Sequence, residues 1–433
     1  MRAREAALRV LLAVEAGEML QDALPRTLDG AGIDAREAAL ATELVYGTLR
    51  RTRELDERLG AATHRPMGAQ RPPVRWLLRL GAYQLLFSRI PPHAAVNETV
   101  ALCARWVPSA RGFVNAALRS LRPGPGVSAL PPWLRQRWVS RYGRLGAEAM
   151  EAWAVVAPPL TLRVNRLRAS RQEVAERLRA AGHAVRPTSW AGDGLRLLGA
   201  GRVQALPGWA DGLFAVQDEA AMLVGEAAGP LAGRRVLEVG TGRGGKLGHL
   251  YERMGGAGEI WGVDSSEPRI RAAQATMTRL GHRGVNLVVR DAREPWPERE
   301  GWADCVVVDA PCTGLGVIAR RPDILRRIDP RAPARHRVLE LELLQAAGRL
   351  VRPGGLIVYA VCSLEPEEGE SVVASFRRLF PAYRPEPARE GPVPWEHFEV
   401  APGQYASLPY RDGTDGFFIA RLRRDPERES APG

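Results

Sequence analysis

The chain has 433 residues, 45% of them hydrophobic, and a formal net charge of +12. That length accommodates two or three domains, each with its own core. Four cysteines, at 103, 305, 312 and 362, form no CxxC pair, which argues against a disulfide framework and against a zinc-ligand spacing, and for reduced thiols in a cytoplasmic protein. Arg4, Glu5, Arg9 and Glu15 interrupt the first twenty residues, so no signal peptide is expected there. The longest apolar run, LIVYAV (356–361), is too short for a bilayer, and no membrane association is expected. Almost all the positive charge is arginine; the single lysine is Lys246. Such an excess suits phosphate-rich partners, although a GC-rich genome gives the same bulk number.

In chain order, residues 1–125 read as all helix. Ala7, Val10, Leu11 and Val14 fall at helical spacing, as do Val96, Val100, Cys103 and Val107, which makes Cys103 a core residue. Arg50, Arg51 and Arg53 cluster after one helix, and Arg111, Arg119 and Arg122 punctuate another, as an RNA-binding surface or a merely solvated face. RPGPGVSALPP (122–132) reads as a linker. Residues 133–228 read as a small α+β segment, with LTLRVN (160–165) a strand and SRQEVAERLRAAG (170–182) a capped helix. From 229 to 423 the apolar runs RRVLEV, EIWGVD, VNLVVR, DCVVVD and GGLIVYAV alternate with helix-length segments. This predicts an α/β, Rossmann-like, doubly wound parallel sheet that binds ligands at the carboxyl ends of its strands. Residues 424–433 read as a disordered tail.

VLEVGTGRGGKLG (236–248) is a strand, a glycine-rich turn and a helix start, an arrangement that lets backbone approach a ligand. Glu238, Asp264, Asp291 and Asp309 stand at or near the ends of the first four strands. That series fits an S-adenosylmethionine methyltransferase better than a dehydrogenase. Cys312, in VVVDAPCTGLG, and Cys362, in YAVCSLEPEE, follow two apolar strands. Methylation of carbon 5 of cytosine calls for such a thiol. A thiolate adding to carbon 6 makes carbon 5 nucleophilic, and an acidic group such as Asp309 can stabilise the adduct through the ring nitrogens. Cys305 lies inside a strand and reads as core. His336 reads as part of a helix start, and Trp302 and Tyr359 as packing. The arginines of ARRPDILRRIDPRAPARHR (319–337) read as a phosphate-gripping strip.

DAPCTGLGVIARRPDI and YAVCSLEPEEGE resemble the paired cysteine motifs of RNA cytosine-5 methyltransferases. PPLTLRVN, GLFAVQDEAA and DGTDGFFIARL resemble further blocks of that family. AAVNETVALC and RGFVNAALRSLRP resemble the NusB-type RNA-binding domain, which marks the bacterial 16S rRNA (cytosine-5) methyltransferase B group, also called Sun or Fmu. The resemblance implies that Cys362 is the nucleophile, that Cys312 assists adduct breakdown, and that Asp309 contacts the target base. It implies a cofactor loop of Gly240, Thr241, Gly242, Arg243, Gly244, Gly245 and Lys246, with Asp264 at the ribose and Asp291 beside the adenine of S-adenosylmethionine. Lys246 falls on the lysine of the family's GGK, where a compact ammonium is not replaced by a flat guanidinium. Four positions depart from the family pattern: Glu238 for aspartate, Arg243 for proline, Leu247 for threonine, and Val361 for the threonine before the nucleophile. The implied partner is RNA, small-subunit ribosomal RNA first. The alternatives are the same chemistry on tRNA, or a non-catalytic RNA-binding factor on a methyltransferase fold.

Overall fold

The structure is a computed structural model that describes residues 1–426 apart from 31, 123, 125, 126, 200 and 201. The expected tail from 427 onward, and part of the Pro/Gly linker, lie outside the described residues. Arg424 still belongs to the last strand. By packing, the chain divides into two units, Met1–Pro158 with Ile318–Ile328, and Pro159–Val317 with Asp329–Gly433.

The first unit is helical: α1 (Ala3–Glu15), α2 (Leu20–Asp29), α3 (Ala35–Arg50), α4 (Thr52–Thr63), α5 (Pro72–Phe87), α6 (Pro92–Trp106), α7 (Arg111–Ser120) and α8 (Pro132–Ala154). Proline opens α5, α6 and α8, where its missing N–H costs no bond. Asp34 caps α3 by accepting from Glu37 N at 2.8 Å. The apolar stripes meet in one core that contains Trp76, Leu77, Leu102 and Cys103. α8 bends at Gly143, whose backbone leaves the helical region (φ 70°, ψ 174°). Packing places α8 with this unit, beyond the compositional break at 122–132.

Residues 318–328 complete this unit. Arg50 Nε donates to Ala319 O at 2.8 Å, and the Arg326 guanidinium stacks on Trp76 with its carbon 4.8 Å from the ring centre. Asp323, buried, accepts from Arg327 at 2.6 Å. Arg51 pairs with Glu54 at 2.8 Å and Arg53 donates to Ser128 O, so the cluster at 50–53 is committed to internal contacts and is no free basic patch. Arg111, Arg119 and Arg122 are exposed.

The second unit holds two sheets. The small one contains β1 (Leu160–Val164), β2 (Ala184–Pro187), β3 (Gly194–Leu198) and β4 (Phe214–Val216), ordered β2-β3-β1-β4 and antiparallel, with α9 (Arg171–Ala180) between β1 and β2. Ser170 and Glu173 close a reciprocal capping box on α9. Next come α10 (Glu219–Ala227), β5 (Arg235–Val239), α11 (Gly245–Arg253), β6 (Glu259–Asp264), α12 (Glu267–Leu280), β7 (Val285–Val289) and β8 (Ala303–Asp309). They are followed by α13 (Ala332–Leu350), β9 (Val351–Val361), α14 (Glu370–Leu379), β10 (Tyr383–Pro385), α15 (Trp395–Phe398), β11 (Glu399–Ala401), β12 (Gln404–Ser407), α16 (Pro409–Asp412) and β13 (Phe417–Arg424).

The large sheet runs β11-β12-β13-β9-β8-β5-β6-β7, with β10 on β13. β7, β6, β5, β8 and β9 are parallel, as expected. On β8, Cys305 and Val307 enter one core cluster while Val306 and Val308 enter another, so both faces are covered and the run reads as continuously apolar. Beyond this parallel core the sheet carries an antiparallel extension. β13 runs antiparallel along β9, pairing Phe418 with Val361, and β12 and β11 extend it. These strands are joined by short connections, so the strand–helix alternation that announces a parallel sheet is missing there. Among the described residues no helix is long and apolar enough to cross a membrane.

Candidate active site

Parallel pairing of β8 with β9 sets Asp309 opposite Ala360 and brings the residues after both strands to one edge. There Cys312 Sγ and Cys362 Sγ lie 3.3 Å apart, each partly exposed. Gly316 N donates to Cys362 O at 3.0 Å, and a Cβ on Gly316 would stand 2.0 Å from Gly416 O, so only glycine allows this approach of the two turns. The hydrogen bond to Cys362 and then burial push the Cys312 thiol well above its ordinary value. Cys312 therefore keeps its proton and can donate it to the neighbouring sulfur. Cys305 is buried inside β8 and pushed up to about 12 by that burial, so it is core, as read.

Lys246, in the first turn of α11, donates to Asp309 Oδ2 at 2.7 Å. Burial opposes its charge, but Asp309, Glu238 and Cys362 outweigh that, and the ammonium is held above its ordinary value. The only lysine thus joins the glycine-rich loop to the strand that leads to Cys312. It also stands 5.3 Å from the ring centre of Phe417.

The loop itself is backbone-built. Gly240 N and Thr241 N both donate to Val263 O, at 2.9 and 3.1 Å. Gly240 has φ 83°, and a Cβ there would meet Asp309 O at 2.2 Å. Gly242 N donates to Asp264 Oδ2 at 2.9 Å, and the other Asp264 oxygen accepts from Ser266 N at 2.9 Å, where α12 begins. Gly244, left-handed at φ 82°, turns the chain into α11, and Arg243 between these glycines is exposed. Asp291 stands apart from this network, two residues beyond β7, with its carboxylate taken up by Arg293 at 2.7 Å. Side-chain and backbone hydrogen bonds from Arg293 hold it below the usual carboxylate range.

Three departures acquire a physical reading. Leu247 is fully buried and fills the space over Gly262. Val361 is buried opposite Phe418, where an apolar residue is at home. Glu238 lies within β5 rather than past its end, fully buried, with neither carboxyl oxygen at hydrogen-bond geometry to a partner. Burial, then the charge of Asp309, pushes it up to about 8.

Five residues that sequence reasoning passed over support the site. The fully buried Arg163 of β1 donates to Gly245 O at 2.6 Å and forks onto Glu252 at 2.8 and 3.0 Å, so the small sheet props the glycine loop. LTLRVN was legible as a strand, but not that its one charged side chain points inward. Thr313, Ser363, Glu368 and Glu340 surround the thiols from behind. The acid-rich turn EPEE signalled a carboxylate there, without saying which of its glutamates faces in. Within the expected arginine strip, Arg327, Arg335 and Arg337 bind Asp323, Asp329 and Ser375 at 2.6, 2.8 and 3.0 Å, Arg326 lies over Trp76, and Arg327, Arg331 and Arg335 are exposed. His336 lies in α13, with Nδ1 3.2 Å from Pro311 O. A separate buried cluster, Asp193, Glu226 and His249, places its possible ligand atoms within 4.8 Å of one another. Arg166 and Arg253 already match its carboxylates, at 3.4 and 2.7 Å.

The family described as 16S rRNA methyltransferase RsmB/F matches residues 228–423, the NusB family matches 1–123, and the ferredoxin-like domain of the RsmF/B-like methyltransferases matches 130–204. The probable ribosomal RNA small subunit methyltransferase B of Bacillus subtilis is 32% identical over 97% of this chain and 98% of its own. The ribosomal RNA small subunit methyltransferase B of Thermus thermophilus is 35% identical over 97% of each. The crystal structure of PH0851 superposes with a TM-score of 0.85 over 98% of both chains at 24% identity, which speaks for the fold. The glycine cradle opening α11, with carboxylates ending β6 and β8, fits S-adenosylmethionine, the cofactor of such enzymes. The chain belongs to the S-adenosylmethionine-dependent ribosomal RNA small subunit methyltransferases of the B/F type, RNA methyltransferases built from a NusB-like helical domain, a ferredoxin-like domain and a Rossmann-like catalytic domain.

Proposed function

We propose that this enzyme methylates carbon 5 of a cytosine in 16S ribosomal RNA through a covalent Cys362–cytosine adduct. The observation that supports this reading is the pair of thiols 3.3 Å apart at the ends of adjacent parallel strands, beside the Lys246–Asp309 ion pair. S-adenosylmethionine supplies an electrophilic methyl group when it is bound. Gly240–Lys246 and Asp264 would hold it, with Asp291 at the edge of its subsite. Cys362 adds to carbon 6 as the thiolate, and carbon 5 becomes enamine-like and accepts the methyl group. Asp309 faces the exocyclic amine and N3 of the ring, where a carboxyl group stabilises the adduct. Lys246 keeps Asp309 in place and holds positive charge near Cys362. A base removes the carbon-5 proton, the C6–S bond breaks with its electron pair leaving on Cys362, and the aromatic ring is regenerated. Cys312, which carries a proton toward Cys362, is placed to assist that departure. The target base must leave its stack to enter such a cleft.

The test supplies radiolabelled S-adenosylmethionine with naked 16S ribosomal RNA or with tRNA and maps the product base. Label in 5-methylcytosine of 16S ribosomal RNA is expected. Cys312→Ala is expected to leave protein covalently held on RNA, as a retarded band on a denaturing gel. Label on another atom or only on tRNA, or no trapped band, overturns the corresponding part of the reading.

A further inference from the structure

Behind the two sulfurs lies a buried carboxylate that the chemistry above does not use. Glu368, fully buried in the turn after β9, accepts from Thr313 N at 2.6 Å, from Thr313 Oγ1 at 2.6 Å, and from Ser363 Oγ. Thr313 follows Cys312 and Ser363 follows Cys362. One side chain therefore ties together the residues next to both thiols, from two segments fifty positions apart. The two hydroxyls also lie 3.2 Å from each other, which closes a small ring of polar groups under the sulfur pair. Tyr359 Oη donates to Glu368 O at 2.6 Å and fixes the backbone of the clamp as well.

A second buried carboxyl stands beside the first. Ligand atoms of Glu368, Glu340 and His336 lie within 4.8 Å of one another, the last two from one face of α13. Two buried carboxyls this close cannot both be charged. Burial pushes Glu368 up, and its three donors from Ser363 and Thr313 oppose that. Glu340 is fully buried and lacks such donors; burial, then the charge of Glu368, pushes it up to about 10. The negative charge therefore sits on Glu368, where the donors are, and Glu340 stays neutral behind it. The groups facing this pair are His336 on α13, Tyr359 on β9, Cys362 after β9 and Cys312 after β8.

We infer that Glu368 is a positioning residue: its carboxylate, clamped on Thr313 and Ser363, sets the separation and aim of Cys312 and Cys362. The inference rests on the two-thiol reading of the site. Apart from the clamp, the segments after β8 and β9 meet through the backbone bonds from Ala310 N to Ala360 O and from Gly316 N to Cys362 O, which do not reach the side chains that flank the sulfurs. A misplacement of about 1 Å in such a step costs on the order of 100-fold in rate.

The test compares the full-length enzyme with Glu368→Gln, and with the double variant Thr313→Val, Ser363→Ala, which keeps the carboxylate and removes its hydroxyl donors. Two readouts are taken. The first is methyl transfer to 16S ribosomal RNA, split into kcat and KM. The second is closure of a Cys312–Cys362 disulfide by an azodicarboxamide oxidant, in which the two thiols lose two hydrogens to the N=N bond; peptide mapping quantifies it. We expect both variants to bind S-adenosylmethionine as the parent does in calorimetry. We expect kcat to fall roughly 100-fold with KM little changed, and disulfide closure to slow by about tenfold or more. If Glu368→Gln, or the double variant should Glu368→Gln not fold, transfers and oxidises at the parental rates, the inference is wrong. That outcome is separate from failure of the two-thiol reading, which appears as full activity in Cys362→Ala regardless of what happens at Glu368.

Discussion

At the ends of β5 and β6 the chain offers mostly backbone. Three left-handed glycines turn the loop, with the amides of Gly240, Gly242 and Gly244 bonded to Val263 O, Asp264 Oδ2 and Thr241 O, and neither carboxyl oxygen of the buried Glu238 has a partner at hydrogen-bond geometry. At the ends of β8 and β9 it offers side chains. Thr313, Ser363, Glu368 and Asp309 are each hydrogen-bonded, and the two sulfurs touch. The first half needs only a shape that a cofactor can enter. On the proposed two-thiol reading, the second must hold two reacting atoms to a fraction of an ångström, because covalent chemistry falls off steeply with misplacement. Three of the four sequence departures, Glu238, Arg243 and Leu247, lie in β5, the glycine loop and its helix; in the thiol half only Val361 departs, while DAPC and the cysteine and acids of VCSLEPEE are intact.

Variants that act on one half and spare the other test this contrast. The largest expected effect is in the thiol half. Cys362→Ala should lower methyl transfer by roughly 10⁴-fold or more while S-adenosylmethionine still binds, as read by tritium incorporation and calorimetry. Loss of binding together with activity would show that the halves are not separable.

Next comes the prop of the cofactor half. Arg163→Met leaves Glu252 buried without its fork and should cost about 3–5 kcal/mol in denaturant unfolding. Cofactor affinity should drop too, because Gly245 O loses its donor. Unchanged stability would mean that the small sheet does not support the loop.

The residue that joins the halves should show an intermediate effect. Lys246→Arg places a flat fork where an ammonium contacts Asp309, and should reduce kcat by about 30-fold with a milder loss in binding. A loss confined to KM would assign Lys246 to the cofactor half alone.

The last test concerns pH. A carboxyl whose pKa rises on folding holds its proton more tightly in the folded chain. The contribution of Glu340 is therefore fully present below its ordinary value of 4.5 and is lost as pH rises through about 10. Glu340→Gln removes that loss, so its stability relative to the parent should improve as pH goes from about 5.5 to about 8.5. A pH-independent difference would mean that Glu340 is not the group that keeps the proton.

Much of this molecule was present in local sequence. Parallel strands covered on both faces need continuous apolar runs, so RRVLEV, EIWGVD, VNLVVR, DCVVVD and GGLIVYAV announced themselves. The glycine loop, the cysteines after two apolar strands and the lone lysine were visible in the chain as motifs, and the fold brings them to neighbouring strand ends. The tertiary structure alone decided three matters. It placed β13 antiparallel on β9 and added β12 and β11 beyond it by further antiparallel pairs, since short connections carry no helix-length crossover to betray the order. It committed Arg50, Arg51 and Arg326 to packing, since a guanidinium reads the same in a chain whether it meets phosphate or a buried carbonyl. It chose Glu368 from an acid-rich turn and set it under both cysteines, because that choice depends on how the turns after β8 and β9 approach, a distance that no residue spacing encodes.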